Sequence, residues 1–202
     1  MTPPGVGPSG EADTPPAYGG PGWRPRPTPL ADELGSLWGA CGLDSEWRPL
    51  RSVLLHRPGT ELDGALEDPG SSLLLERLDP ALALVQHEGL ARTYRDAGVE
   101  VHYVEPPTTP PPNLMFAADL MAMTPEGAIL ARPASAVRAG EERWVARALG
   151  EMGVPILRAV RGEGTFEGAD LMWLSPERAL LAVGLRTNET GAAQVADTLR
   201  EM

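Results

Sequence analysis

Glu167 and Asp170 stand three residues apart in GTFEGAD, residues 164–170, with only small residues between them. A third acid, Asp119, closes PNLMFAAD, residues 112–119, in an apolar setting of Leu114, Met115, Phe116, Leu120 and Met121. Burying a lone carboxylate in such surroundings costs several kcal/mol, so each acid needs a cation or a set of donors. Taken singly, each could accept backbone N–H groups at a bend. Taken together, the three suit a guanidinium, whose five N–H donors lie in one plane and can be shared between two or three carboxylates. Arg138, in ARPASAVR, and Arg186, in GLRTN, sit at the ends of expected strands. Either could be a surface charge; as a pair they could hold the carboxylate of an amino acid whose guanidinium lies among the acids. Asn113 follows three prolines and is a turn residue or a donor to the same substrate.

The elements that would position these residues repeat. LARTYRDAGVEVHYVE from Leu90, VARALGEMGVPILRAV from Val145 and VADTLREM from Val195 each open on an amphipathic helix end, at offsets of 55 and 50 residues counted from Ala91, Ala146 and Ala196. Gly98 and Gly153 supply helix stops before β-branched runs. Met202 falls where Met152 precedes Gly153, so the third copy ends before its strand, as expected of a C-terminally truncated chain. Strands are expected at Ser52–His56, Val99–Glu105, Leu114–Met123, Ala128–Arg132, Ile156–Val160, Leu171–Leu174 and Ala179–Gly184. Helices are expected over 80–97, 138–152 and 189–202, the first opened by Asp79 as cap and Pro80 at the first helical position. Short hairpins alternating with helical crossovers imply a closed or fan-like α/β arrangement.

Composition limits the function classes. Residues 1–30 hold nine Pro and six Gly and almost nothing aliphatic, which predicts a disordered leader; residues 1–45 form leader and linker, and residues 46–202 the domain. A basic start with an apolar run is missing, as is any long apolar stretch, so the expectation is a soluble cytoplasmic protein. The formal charge of −11 disfavours nucleic acid and anionic membrane as partners and favours a small cation. Cys41 is the only cysteine, and His56, His87 and His102 lack ligand-like spacing, so neither a disulfide nor a metal site is expected.

These segments resemble the guanidino-group-modifying enzymes of the pentein fold: arginine deiminases, dimethylarginine dimethylaminohydrolases and amidinotransferases. PNLMFAAD looks like the strand bearing a guanidinium-binding Asp, at Asp119. RPASAVRAGEE resembles the segment whose Arg contacts the substrate carboxylate, at Arg138. TFEGAD is similar to the acid-Gly-Gly-Asp motif, at Glu167 and Asp170, with Ala169 in place of the second glycine. GLRTN resembles the second carboxylate-binding loop, at Arg186. The resemblance runs from about Trp47 to Met202. It implies a pentein-like α/β propeller of which about three of five ββαβ modules are present. It further implies an amidinotransferase or a C–N hydrolase of linear amidines, acting on arginine or methylated arginine through a thiol and needing no cofactor; a homo-oligomer is compatible with it. Asp119 and Glu167 are the residues implied in catalysis, with Asn113, Arg138, Asp170 and Arg186 binding substrate. The family's His and late Cys have no counterpart here, so the chain alone is expected to be inactive. A non-catalytic module that binds arginine or a protein partner is the alternative.

Overall fold

The computed structural model describes residues 14–63 and 67–202; the first 13 residues of the expected leader lie outside the described residues. Among the described residues, seven short strands form three separate sheets. β1 (Ser52–Leu55) pairs in parallel with β2 (Glu100–Tyr103). β3 (Met121–Thr124) pairs antiparallel with β4 (Gly127–Leu130), which pairs in parallel with β5 (Ile156–Ala159). β6 (Leu171–Ser175) and β7 (Arg178–Leu181) make an antiparallel hairpin. Helix α1 (Leu30–Glu33) is a single turn; α2 (Pro80–Asp96) joins β1 to β2, α3 (Glu142–Glu151) joins β4 to β5, and α4 (Glu189–Glu201) follows β7. No closed sheet is formed among the described residues, and none of their helices is long and apolar enough to cross a membrane.

Strand β4 is buried at every position, and its period-two alternation divides the core. Ala128 and Leu130 face one cluster with Leu114, Leu120, Val145, Ala148 and Leu149; Ile129 and Ala131 face the other with Ala122, Val160, Phe166 and Val195. Val145, Ala148 and Leu149 share one stripe of α3, so α3 covers the first face, while Val195 brings α4 to the second. The three-stranded sheet is therefore the middle layer of the domain.

Local signals hold at the helix ends. Asp79 Oδ1 accepts from the N–H groups of Ala81 and Leu82, Pro80 opens α2, and Gly98 and Gly153 take φ of +78° and +70° after α2 and α3. Two expected elements change. Leu114–Met123 is not one strand: turn bonds from Phe116 N to Asn113 O and from Asp119 N to Phe116 O fold the run into a 3₁₀ turn at Ala117–Asp119, and β3 starts only at Met121. Helix α3 starts at Glu142 rather than 138, because Ser135 Oγ caps a separate 3₁₀ turn, Ala136–Arg138, by accepting from Val137 N–H. The linker expected to end at residue 45 also meets the domain earlier. Gly39 N–H donates to Gly153 O at 2.8 Å, Leu43 N–H to Thr124 O at 3.1 Å, and Cys41 packs on the first core cluster.

Candidate functional site

Backbone contact between two turns builds the site. Ala117–Asp119 precedes β3, and the 3₁₀ turn Gly168–Asp170 precedes β6. A Cβ at Gly168 would lie 1.9 Å from Met121 O and 2.6 Å from Ala118 O, so only glycine lets the second turn rest on the first. The bridge between Arg132 and Phe166, with reciprocal N–H···O bonds of 3.0 Å, fixes the chain just before Glu167 beside the end of β4. Asp119, Glu167 and Asp170 thereby come to adjoining turns although 48 residues separate the first two.

Each acid has a partner. Asp119 Oδ2 takes a charge-assisted bond from Arg138 Nη1 at 2.5 Å, and Arg138 Nε donates to Glu141 Oε2 at 2.8 Å. Arg138 Nη2 reaches the carbonyls of Phe116 at 3.2 Å and Asn113 at 3.4 Å. Burial would depress the Arg138 pKa, but its bonds to Asp119 and Glu141 outweigh that and raise it, so the guanidinium stays charged. Glu141 is fully buried, and burial pushes its carboxyl up to about 7 against the pull of Arg138; its Oε1 is buried without a hydrogen-bond partner among the described residues. The two acids differ in burial: Asp119 keeps about a quarter of its side chain exposed while pairing with Arg138 Nη1, whereas Glu141 is fully enclosed, and burial lifts its carboxyl toward neutrality.

In the second turn, Glu167, 5 % exposed, lies 3.3 Å from Arg186 Nη1. Asp170 Oδ2 accepts from Thr187 Oγ1 at 2.5 Å, and the same hydroxyl accepts from Glu167 N–H at 3.3 Å. Asn188 Oδ1 accepts from Thr165 N–H at 3.0 Å and from Gly191 N–H at 2.8 Å, capping α4 while tying RTN to TFE. Asp170 therefore braces the loop. Asn113 is buried and spends its amide on Ser72 O at 2.8 Å.

The arrangement differs from arginines standing apart from the acids. Arg138 is 4 % exposed and bonded to Asp119, while Arg186 lies on Glu167, because a carboxylate removed from water draws in the nearest cation. Glu141 and Thr187 are the site residues that sequence reasoning missed. Both flank an arginine already singled out, Glu141 at three residues and Thr187 at one, and that adjacency was the available signal. Cys41 lies among core side chains and burial raises its thiol pKa, so it is poorly suited to act as a thiolate.

No family model matches the chain. Among curated proteins it is similar to arginine deiminase of Staphylococcus haemolyticus, 44 % identical over 69 residues, covering 33 % of this chain and 16 % of that one. The arginine deiminase of Clostridium perfringens is 41 % identical over 68 residues, with 33 % and 16 % covered. Among solved structures, dimethylarginine dimethylaminohydrolase from Pseudomonas aeruginosa complexed with citrulline superposes with a TM-score of 0.64 and 25 % identity, over 75 % of this chain and 57 % of that one. An amidinotransferase from Microseira wollei, at 16 % identity and a TM-score of 0.56 over 80 % and 62 % of the two chains, shares the fold. The matches span about one sixth of the deiminases and little more than half of the hydrolase.

Proposed function

We propose that this chain, which belongs to the pentein-fold family of guanidino-group-modifying enzymes, contributes the carboxylates that hold a guanidino substrate, arginine or a methylated arginine. The observation that carries this reading is the seating of Gly168 on the backbone of Ala118 and Met121, which brings the Asp119 and Glu167 turns together. Glu167 already holds a guanidinium, that of Arg186, which is 47 % exposed in its side chain and so is readily displaced. A substrate guanidinium would take its place, freeing Arg186 to turn to the substrate carboxylate. Asp119 commits only Oδ2 to Arg138; no described donor bonds its Oδ1, the oxygen offered to the substrate. Arg138 therefore positions Asp119 and, in this reading, binds substrate only through it.

Held by two acids, the guanidinium keeps its charge and is fixed in plane, and the field of the carboxylates favours the cation as its carbon becomes tetrahedral. The chemistry that follows is attack of a thiolate on that carbon, with loss of an amine protonated by an imidazole. The amidino-thioether then passes to water in a hydrolase or to an amine in an amidinotransferase. Neither group stands at a matching position in these 202 residues, so turnover requires further chain. In a five-module arrangement the next ββαβ unit would cover the outer face of the β6–β7 hairpin, where Met172, Leu174 and Leu180 are exposed.

Calorimetric titration with L-arginine tests the reading. Asp119→Asn and Glu167→Gln should each weaken binding about tenfold or more, the worth of a charge-assisted bond, with no citrulline or ornithine formed by the parent chain. Equal affinity in parent and both variants, or turnover that survives Cys41→Ser, would overturn it.

A further inference from the structure

Two acids share one guanidinium at the 3₁₀ turn Ala136–Arg138. Arg138 Nε donates to Glu141 Oε2 at 2.8 Å, Nη1 donates to Asp119 Oδ2 at 2.5 Å, and Nη2 is spent on the carbonyls of Phe116 and Asn113. Every nitrogen of Arg138 thus has a partner inside the chain. The Arg138 and Glu141 side chains are buried, and Asp119, with 24 % of its side chain exposed, is the member of the cluster that a ligand can reach.

With both acids ionised, one cation faces two anions in a place removed from water. Two features of Glu141 make it the acid that takes a proton. It is fully enclosed, and its Oε1 has no hydrogen-bond donor among the described residues, so ionisation leaves a buried charge satisfied on one oxygen only. The charged groups acting on it are Arg138, which favours the ionised form, and Glu142 and Asp119, which oppose it; Glu142 Oε2 takes the Gly140 N–H at 3.0 Å. Burial outweighs the pull of Arg138 and lifts the carboxyl to about 7.

That balance depends on what Asp119 meets. A guanidinium on Asp119 Oδ1 brings a second positive charge to the cluster. Neutral Glu141 then leaves an excess of positive charge, and ionised Glu141 cancels it. Two acids sharing one guanidinium stand on the order of 5 to 8 Å apart, which puts the newcomer within roughly 10 Å of Glu141. A unit charge at that distance, in a partly buried setting, changes a proton affinity by about tenfold. The opposite follows if Arg138 swings out to the carboxylate of the substrate. Glu141 would lose its cation and hold its proton more tightly, so binding would take a proton up. The sign of the proton exchange therefore reports where Arg138 stays.

We propose that Glu141 is a positioning residue linked by a proton to guanidino binding: a guanidinium seated on Asp119 drives the Glu141 proton into solvent, while Arg138 remains between the two acids. The linkage rests on the guanidino reading above and adds to it a control of the same site by pH.

The test is calorimetric titration of the 202-residue chain with L-arginine, in PIPES and in Bis-Tris, which take up a proton with different heats. At about pH 6.5 the parent should release roughly half a proton per arginine bound, and its affinity should weaken about fivefold from pH 8 to pH 6. Glu141→Gln, which mimics the protonated acid, should release none and should bind at both pH values with the affinity of the parent at pH 6. If that variant fails to fold, carboxyl NMR of glutamate-labelled parent reads the same event: the glutamate with the highest midpoint should titrate about one pH unit lower with arginine bound. Arginine that binds the parent without proton exchange, or with uptake, overturns the proposal and leaves the guanidino reading standing, as does release that persists in Glu141→Gln. Absence of arginine binding to the parent at either pH overturns the guanidino reading itself, and the linkage with it.

Discussion

Replacing Glu141 by Gln should alter how stability depends on pH. Glu141 is fully buried, and burial raises its carboxyl from 4.5 to about 7 although Arg138 Nε lies 2.8 Å away. The folded chain therefore binds this proton more tightly than the unfolded chain does. The resulting stabilisation is fully present below pH 4.5 and is lost as pH rises through 7. A gap of 2.5 pH units, 7 less 4.5, at 1.36 kcal/mol per unit corresponds to about 3 kcal/mol in full, and to roughly 2 to 3 kcal/mol between pH 5 and 8. Gln is the neutral isostere, so the variant lacks this slope and keeps every other titration. Urea unfolding followed by tryptophan fluorescence, at constant ionic strength from pH 5 to 8, gives the stability of parent and variant. The parent-minus-variant difference should fall by about 2 to 3 kcal/mol over that range. Parallel curves, differing by a constant to within about 0.5 kcal/mol, would refute the reasoning, because Glu141 would then titrate alike in both states.

Gly168→Ala should destabilise the chain by about 2 to 3 kcal/mol, since its Cβ meets Met121 O at 1.9 Å; Gly89→Ala, in helix α2 with nothing within 4 Å, should stabilise it by about 0.5 to 1 kcal/mol; thermal or urea unfolding reads both. Asn188→Ala should cost about 1 to 2 kcal/mol through the lost α4 cap and its bond to Thr165 N–H, and Asn188→Ser should recover part of it; equal losses in the two variants would show that the cap is unimportant. Cys41 should react with iodoacetamide at pH 8 more slowly than a free thiol, because burial raises its pKa and lowers the thiolate fraction; a rate at or above that of glutathione would contradict the core placement.

Elements governed by neighbours in sequence were legible. Asp79 and Pro80 open α2 and Gly98 closes it, because cap, first-turn proline and positive-φ stop each act within four residues. The run Leu114–Met123 misled, because an apolar stretch reads alike as a buried strand or as buried turns. Leu114 and Leu120 are both fully buried, yet the backbone between them satisfies itself by turn bonds instead of a ladder. The linker shows the same limit: its local sequence cannot reveal that Gly39 and Leu43 find partners in Gly153 and Thr124, more than 80 residues away.

For the site, residue types alone nominated Asp119, Glu167, Asp170, Arg138, Arg186 and Asn113, since acids and arginines in apolar or glycine-rich settings must find partners. Who pairs with whom was decided by the tertiary structure. Gly168 allows two turns to touch, Ser135 starts a separate turn that aims Arg138 inward, and Thr187 takes Asp170. Burial then acts on Glu141, lifting its carboxyl to about 7, while the less buried Asp119 pairs with Arg138 Nη1. The sequence carries the charges and their local spacing; desolvation and long-range approach exist only once the chain has folded, and these set which groups are free to meet a ligand.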